Sequence, residues 1–243
     1  MSVFENMLQR GHEQVSFFTD PHSGLKGIVA IHNTTLGPSL GGCRMWMYDS
    51  EDEALIDVLR LAKGMTYKAA IAGLNLGGGK AVIIGNSKTD KSETLFRSFG
   101  RFVEGLGGRY ITAEDVGTSV KDMEFVRMET NYVTGISRAL GGSGDPSIVT
   151  AYGVYVGMKA SVKYKLNRNS LSGLKITIQG LGHVGMHLVD FLSKDDVELY
   201  VTDIDQESVE KVVNKYNAKP VELEDIYSMD VDVFVPCALG AIL

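Results

Sequence analysis

Between Leu174 and Asp203 the chain passes from a short apolar run, LKITIQ, into Gly180-Leu181-Gly182-His183-Val184-Gly185. An amphipathic stretch then reaches about Lys194, and a second apolar run, residues 198–202, ends at Asp203. Glycines at that spacing, after a strand-like run and before a helix-like one, confine this part of the chain to a βαβ unit with the dinucleotide fingerprint. Gly180 permits the tight turn, Gly182 lets a pyrophosphate approach the backbone, and Gly185 allows helix and strand to pack closely. Leu181, His183 and Val184 complete the loop, and a phosphate there would meet the positive end of the helix dipole. Asp203, eighteen positions after Gly185, would accept hydrogen bonds from a ribose. Ile204-Asp205-Gln206 offers no cation for a 2′-phosphate, so NAD is favoured over NADP. The alternative is a glycine turn in a doubly wound domain that binds nothing.

The remaining composition narrows the class. With 243 residues, 44% hydrophobic and 22% charged, the chain has room for two ordinary domains. A net charge of −6 without a basic run argues against a nucleic-acid partner. No apolar stretch approaches a membrane span, and the start, MSVFENMLQRGHEQ, lacks a secretory core, so a cytoplasmic protein is expected. Cys43 and Cys237 stand alone, which argues against a disulfide or zinc site. His183 and His187, four apart on an expected helix, read more simply as ordinary helical histidines than as metal ligands, so no metal is expected.

The first half mixes strand-like and helical patterns. Residues 25–32 read as a strand, 50–63 and 94–106 as amphipathic helices, and 109–112 as a short strand. Residues 141–147, GGSGDPS, are the richest run of turn residues. They are the expected hinge between a substrate-binding and catalytic domain, residues 1–140, and a Rossmann-like domain, residues 147–243. A helix follows from about Thr150. That threonine is either a contact for the nicotinamide end of a cofactor or a plain helix N-terminal residue.

Two lysines, Lys68 and Lys80, stand twelve residues apart, and Gly77-Gly78-Gly79 immediately precede the second. The glycines strip side chains from the backbone and deliver one amine to the start of a buried run, Ala81 to Ile84. An ammonium in a desolvated site, with a second ammonium nearby, loses its proton more readily and becomes a general base near neutral pH. The same string also fits a glycine turn followed by a surface lysine. Downstream, Glu114 and Asp115 in TAEDVGT offer a carboxylate to shuttle a proton, and the residues alone do not choose between them.

These segments, LGPSLGG (36–42), GMTYKAA (64–70), LNLGGGKAVI (74–83), TAEDVGT (112–118), ETNYVTG (129–135) and VPCALGA (235–241), occur in an order that resembles the amino-acid dehydrogenases acting on glutamate, leucine, phenylalanine and valine. The resemblance runs through nearly the whole chain. It implies an α/β protein with an N-terminal substrate and oligomerisation domain and a Rossmann-like NAD domain. It implies Lys80 as catalytic base, Lys68 as the group that binds the substrate α-carboxylate, and Asp115 rather than Glu114 as the proton carrier. Leu40, Gly41, Met65 and Ala113 fall at the substrate side-chain pocket, although Leu40 and Met65 also read as core residues. Their apolar character favours an aliphatic amino acid such as leucine, valine or isoleucine. The implied reaction is reversible NAD-dependent oxidative deamination in a homo-oligomer, in a cleft that closes about the hinge. The alternatives are a phenylalanine- or valine-acting member, or an NAD-binding protein without catalysis.

Two departures qualify the resemblance. His183 stands where leucine-acting members carry asparagine. The chain stops at Gly240-Ala241-Ile242-Leu243, just past an expected strand, whereas family members continue. An incomplete nucleotide domain, an exposed sheet edge and weak or no activity of the 243-residue chain alone are therefore expected.

Overall fold

The structure, a computed structural model, describes residues 2–238; Leu239, Gly240 and Ala241 of the VPCALGA segment lie outside them. The chain divides into two compact units, Met1–Asp145 and Pro146–Leu243.

In chain order the first unit contains α1 (Val3–Arg10), β1 (Gln14–Asp20), β2 (Leu25–Asn33), β3 (Ser39–Trp46), α2 (Glu51–Ile71), β4 (Gly77–Ile84), α3 (Glu93–Gly105), β5 (Tyr110–Glu114) and α4 (Val120–Arg127). Its sheet has the order β1-β2-β4-β3-β5. β1 and β4 run antiparallel to β2, while β3 runs parallel to both β4 and β5.

Side-chain alternation divides this sheet between two layers of helix. Val29, Ile31, Cys43, Met45, Ala81 and Ile83 face α3 and α4, packing on Phe96, Phe99, Met123 and Val126. Ile28, Ala30 and Val82 face α2, packing on Ala54, Leu55, Val58, Leu59 and Ala62. Each large aliphatic side chain buried there is worth about 1.5–3 kcal/mol. The alternation has a chemical consequence. Arg44, between Cys43 and Met45, and Lys80, in phase with Val82, belong to the α2 side.

Two expectations change. The alternative of a glycine turn falls: Gly77, Gly78 and Gly79 are the first residues of β4, paired with β3 and β2. A Cβ on Gly78 would lie 2.1 Å from the backbone nitrogen of Thr66, so the missing side chain lets α2 settle directly onto β4. The expected helix over 50–63 continues to Ile71, through Gly64, and carries Met65 and Lys68 with it. Ser50 caps its start by accepting the amide of Glu53 at 3.1 Å.

The second unit contains α5 (Ser147–Leu166), β6 (Lys175–Gln179), α6 (His183–Leu192), β7 (Glu198–Thr202), α7 (Gln206–Tyr216), β8 (Lys219–Pro220) and β9 (Val233–Pro236). The sheet is parallel, in the order β8-β7-β6-β9. β7 and β8 build away on one side of β6 and β9 on the other, so the strand order reverses at β6. In open α/β sheets, ligands bind beyond the carboxyl ends of strands at such a reversal. Gly180 to Gly185 lie just past that end of β6. No helix among the described residues is long and apolar enough to cross a membrane.

Candidate active site

Lys80 is one of the few charged residues in the buried interior, 4% exposed, because β4 is a central strand with α2 over its face. Its Nζ lies 2.9 Å from Asp115 Oδ1. Asp115 follows the last residue of β5, and its loop is pinned. Its amide donates to Thr118 Oγ1 at 2.9 Å, Thr118 donates to the Cys43 carbonyl at 2.8 Å, and the Met45 amide donates to the Val116 carbonyl at 2.9 Å.

The second carboxylate oxygen of Asp115 accepts from Arg44 Nε at 3.0 Å. Arg44 Nη1 reaches Asp57 Oδ2, on α2, at 2.9 Å. That oxygen also accepts from Tyr48 at 2.8 Å, and Asp57 Oδ1 accepts from Arg60 at 2.9 Å. Charges thus alternate from Lys80 through Asp115, Arg44 and Asp57 to Arg60 at the surface.

Burial pulls Lys80 below the usual lysine range, opposed by Asp115 and aided by Arg44. For Asp115, burial alone would raise the pKa, but Lys80 and Arg44 outweigh it and hold the carboxyl below its usual range. The cation beside the pair is therefore Arg44, where the sequence suggested Lys68. Lys68 lies exposed on the last turn of α2, and no ion pair or hydrogen bond engages its ammonium among the described residues. It is thereby available to an anionic group from outside.

Sequence reasoning missed Arg44. The available signal was an arginine between two residues, Cys43 and Met45, of a type that strands bury. Glu114 does not join the pair. Its carboxyl, crowded by burial and then by Asp145 and Asp122, is pushed up to about 7. Of the expected pocket residues, Gly41 and Met65 come together, since a Cβ on Gly41 would lie 3.3 Å from Met65 Cγ. Leu40 pairs with Gly78 and Ile111, and Ala113 with Gly42, along neighbouring strands. Leu40, Met65 and Ala113 are all partly exposed.

In the second unit, Gly180 has φ +100°, a backbone conformation open to glycine, and a Cβ on Gly185 would lie 2.0 Å from the Gly180 carbonyl oxygen. Gly182 differs: at φ −67° a Cβ there would meet nothing within 4 Å among the described residues. Packing among the described residues gives no reason for glycine at 182, whereas a group resting against the loop does. Gly182 precedes α6 and provides no side-chain cap, leaving the first-turn amides of His183, Val184 and Gly185 for an anion. Leu181 is buried and His183 exposed. Asp203 holds the loop by accepting the Leu181 amide, and its other oxygen accepts from Asp205 at 2.8 Å. A carboxylate has about four acceptor positions, so capacity remains for ribose hydroxyls. Thr150 is exposed on the first turn of α5. These residues fit a dinucleotide.

One unit holds a buried lysine–aspartate pair, and the other holds a dinucleotide-type glycine loop. The Glu/Leu/Phe/Val dehydrogenase dimerisation domain matches residues 12–132. The chain is 57% identical over 243 residues to a leucine dehydrogenase of Geobacillus stearothermophilus, covering all of this chain and 66% of that protein. It is 49% identical to a phenylalanine dehydrogenase of Bacillus thermotolerans, covering 64% of it. The crystal structure of L-tryptophan dehydrogenase from Nostoc punctiforme superposes with a TM-score of 0.73 at 45% identity, over 99% of this chain and 68% of that one. The chain belongs to the Glu/Leu/Phe/Val dehydrogenase family. It spans about two thirds of the length of the relatives it matches.

Proposed function

We propose that the protein catalyses NAD-dependent oxidative deamination of an aliphatic L-amino acid, leucine foremost, to the 2-oxo acid and ammonia, reversibly and as a homo-oligomer in the cytoplasm. The observation that carries this reading is the buried pair of Lys80 and Asp115, 2.9 Å apart, in a member of this family. A bound nicotinamide supplies the hydride acceptor. Gly180, Gly182, Gly185, the α6 amides and Asp203 would hold the dinucleotide, and the absence of a cation after Asp203 favours NAD.

The remaining steps belong to residues of the first unit. Lys68 pairs with the substrate α-carboxylate, and Leu40, Gly41, Met65 and Ala113 border its side chain. Lys80, in its neutral form, takes a proton from the water that adds to the imino carbon of the oxidised substrate. Once protonated, it stabilises the oxygen of the resulting carbinolamine. Asp115 accepts and returns protons at Oδ1, so that the departing nitrogen leaves as ammonia. Depression of Lys80 by burial matters because each unit of pKa is about 1.36 kcal/mol of protonation free energy that need not be supplied during turnover.

Leucine dehydrogenases are more similar to the chain than the phenylalanine-acting relative, 57% against 49%, which supports the aliphatic reading. The test is a screen of L-leucine, L-valine, L-isoleucine, L-phenylalanine and L-glutamate with NAD+, following NADH. The expectation is fastest turnover with a branched aliphatic substrate. No NADH with any of the five would leave only the alternative of a dinucleotide-binding protein without this chemistry.

A further inference from the structure

Arg44 has no part in the chemistry proposed above, yet its side chain joins two carboxylates of the site. Its side chain is 19% exposed, and its guanidinium bridges two carboxylates that come from different elements. Nε is spent on Asp115 Oδ2 at 3.0 Å and Nη1 on Asp57 Oδ2 at 2.9 Å. Asp57 cannot swing away to follow a moving partner, since Tyr48 and Arg60 occupy its oxygens as well. We propose that Arg44 is a positioning residue: its fork ties Asp115 to α2 and sets both the orientation of that carboxylate and the charge balance of Lys80. The proposal rests on the reading of Lys80 and Asp115 as the proton-transfer pair.

The geometry explains why the pair is not an inert salt bridge. A lone buried Lys–Asp pair would hold its proton firmly on the lysine. A guanidinium on the far side of the carboxylate draws the same negative charge away and repels the ammonium. The charged groups that act on Lys80 are Asp115 after β5 and Arg44 on β3, with Cys43 and Tyr110 on the opposite face of the sheet. Of these, Arg44 is the only permanent cation, so the proton affinity of Lys80 depends on it. The fork matters as much as the charge. A lysine at position 44 would place one point charge where two directed N–H groups are needed. Asp115 would then rotate about its side-chain bonds and lose its fixed line to Lys80.

The test is competitive acetic-anhydride labelling of the folded protein across roughly pH 6 to 11, read at Lys80 by mass spectrometry. Steady-state kinetics with leucine and NAD+ and a melting curve accompany it for each variant. In Arg44→Gln, neutral Lys80 at a given pH should fall roughly tenfold, the labelling midpoint rising by about one unit. In Arg44→Lys the midpoint should stay near that of the parent protein. Its kcat should drop roughly tenfold or more with little change in KM, because the fork is lost but the charge is kept. A folded Arg44→Gln protein with an unmoved Lys80 midpoint overturns the proposal. Should that variant fail to fold, parental kcat in Arg44→Lys overturns it instead. Labelling needs no turnover, so absence of leucine-dependent NADH in the parent protein counts against the proposed reaction and leaves Arg44 to be judged by Lys80 labelling.

Discussion

Asp115 meets Lys80 at 2.9 Å, while its chain neighbour Glu114 projects from the other side of β5 and leaves Oε1 buried without a hydrogen-bond partner among the described residues. Adjacent residues of a strand end point to opposite faces, so two carboxylates one position apart have opposite fates. Asp115→Asn should therefore lower kcat by roughly a hundredfold or more, whereas Glu114→Gln should stay within about threefold of the parent. Stability separates them too. The Glu114 carboxyl sits at about 7 when folded and near its ordinary value when unfolded. The unfolded chain ionises first as pH rises, and stability falls between about pH 4.5 and 7. Glu114→Gln should remove that loss and gain about 1 kcal/mol at pH 8 in urea denaturation, a figure reduced from about 3 for solvent screening of a partly exposed group.

His12 gives an opposite slope. Burial, together with the nearby charges of His32, Arg10 and Lys63, lowers its pKa to about 4, although its bond to the Leu59 carbonyl opposes the shift. Its Nδ1 is buried without a hydrogen-bond partner among the described residues, and its ring meets that of His32 edge-on at 4.8 Å. The unfolded histidine takes up a proton near pH 6.5 and the folded one only near 4, so stability is full above that range and declines as pH falls through it. Screening reduces the expected loss to about 1–2 kcal/mol. His12→Gln keeps a donor for Leu59 and does not titrate, so its urea midpoint should change less than the parent's between pH 7 and 4.5. Parallel declines in both proteins would place the acid sensitivity elsewhere.

The dinucleotide loop allows a contrast between two glycines. Gly182→Ala adds a methyl into open space and should change stability by no more than about 1 kcal/mol, the ordinary cost of losing glycine at a helix N-cap. NAD binding measured by calorimetry should nevertheless weaken at least tenfold. Gly185→Ala drives a methyl to 2.0 Å from the Gly180 carbonyl and should destabilise the second unit by about 1–3 kcal/mol. Undiminished NAD affinity in Gly182→Ala would remove the argument that an outside group dictates that glycine.

The second unit was legible in the sequence because its signals are local. Strand, glycine loop, helix and acidic strand end follow one another within thirty residues, and each has its own pattern. The first unit was less so. β1 and β3 were not anticipated: β3 carries glycines at 41 and 42 and an arginine at 44, and it is a strand because β4 and β5 flank it. Gly77 to Gly79 looked like a turn because intrinsic preference disfavours three glycines in a strand; close approach of α2 at Thr66 reverses that preference. Lys80 and Asp115 could be nominated from their surroundings, but Arg44 could not. Its partners lie 13 and 71 residues away, and they meet it because α2 lies over the sheet and β5 pairs with β3.

The most direct test of Lys80 as catalytic base pairs turnover with cofactor binding in one variant, Lys80→Met. Methionine fills much of the lysine volume, and Arg44 remains to balance Asp115. Leucine-dependent NADH formation should fall by at least about a hundredfold, while calorimetric NAD affinity stays within about threefold of the parent. Turnover within about tenfold of the parent, with NAD affinity intact, would contradict the account.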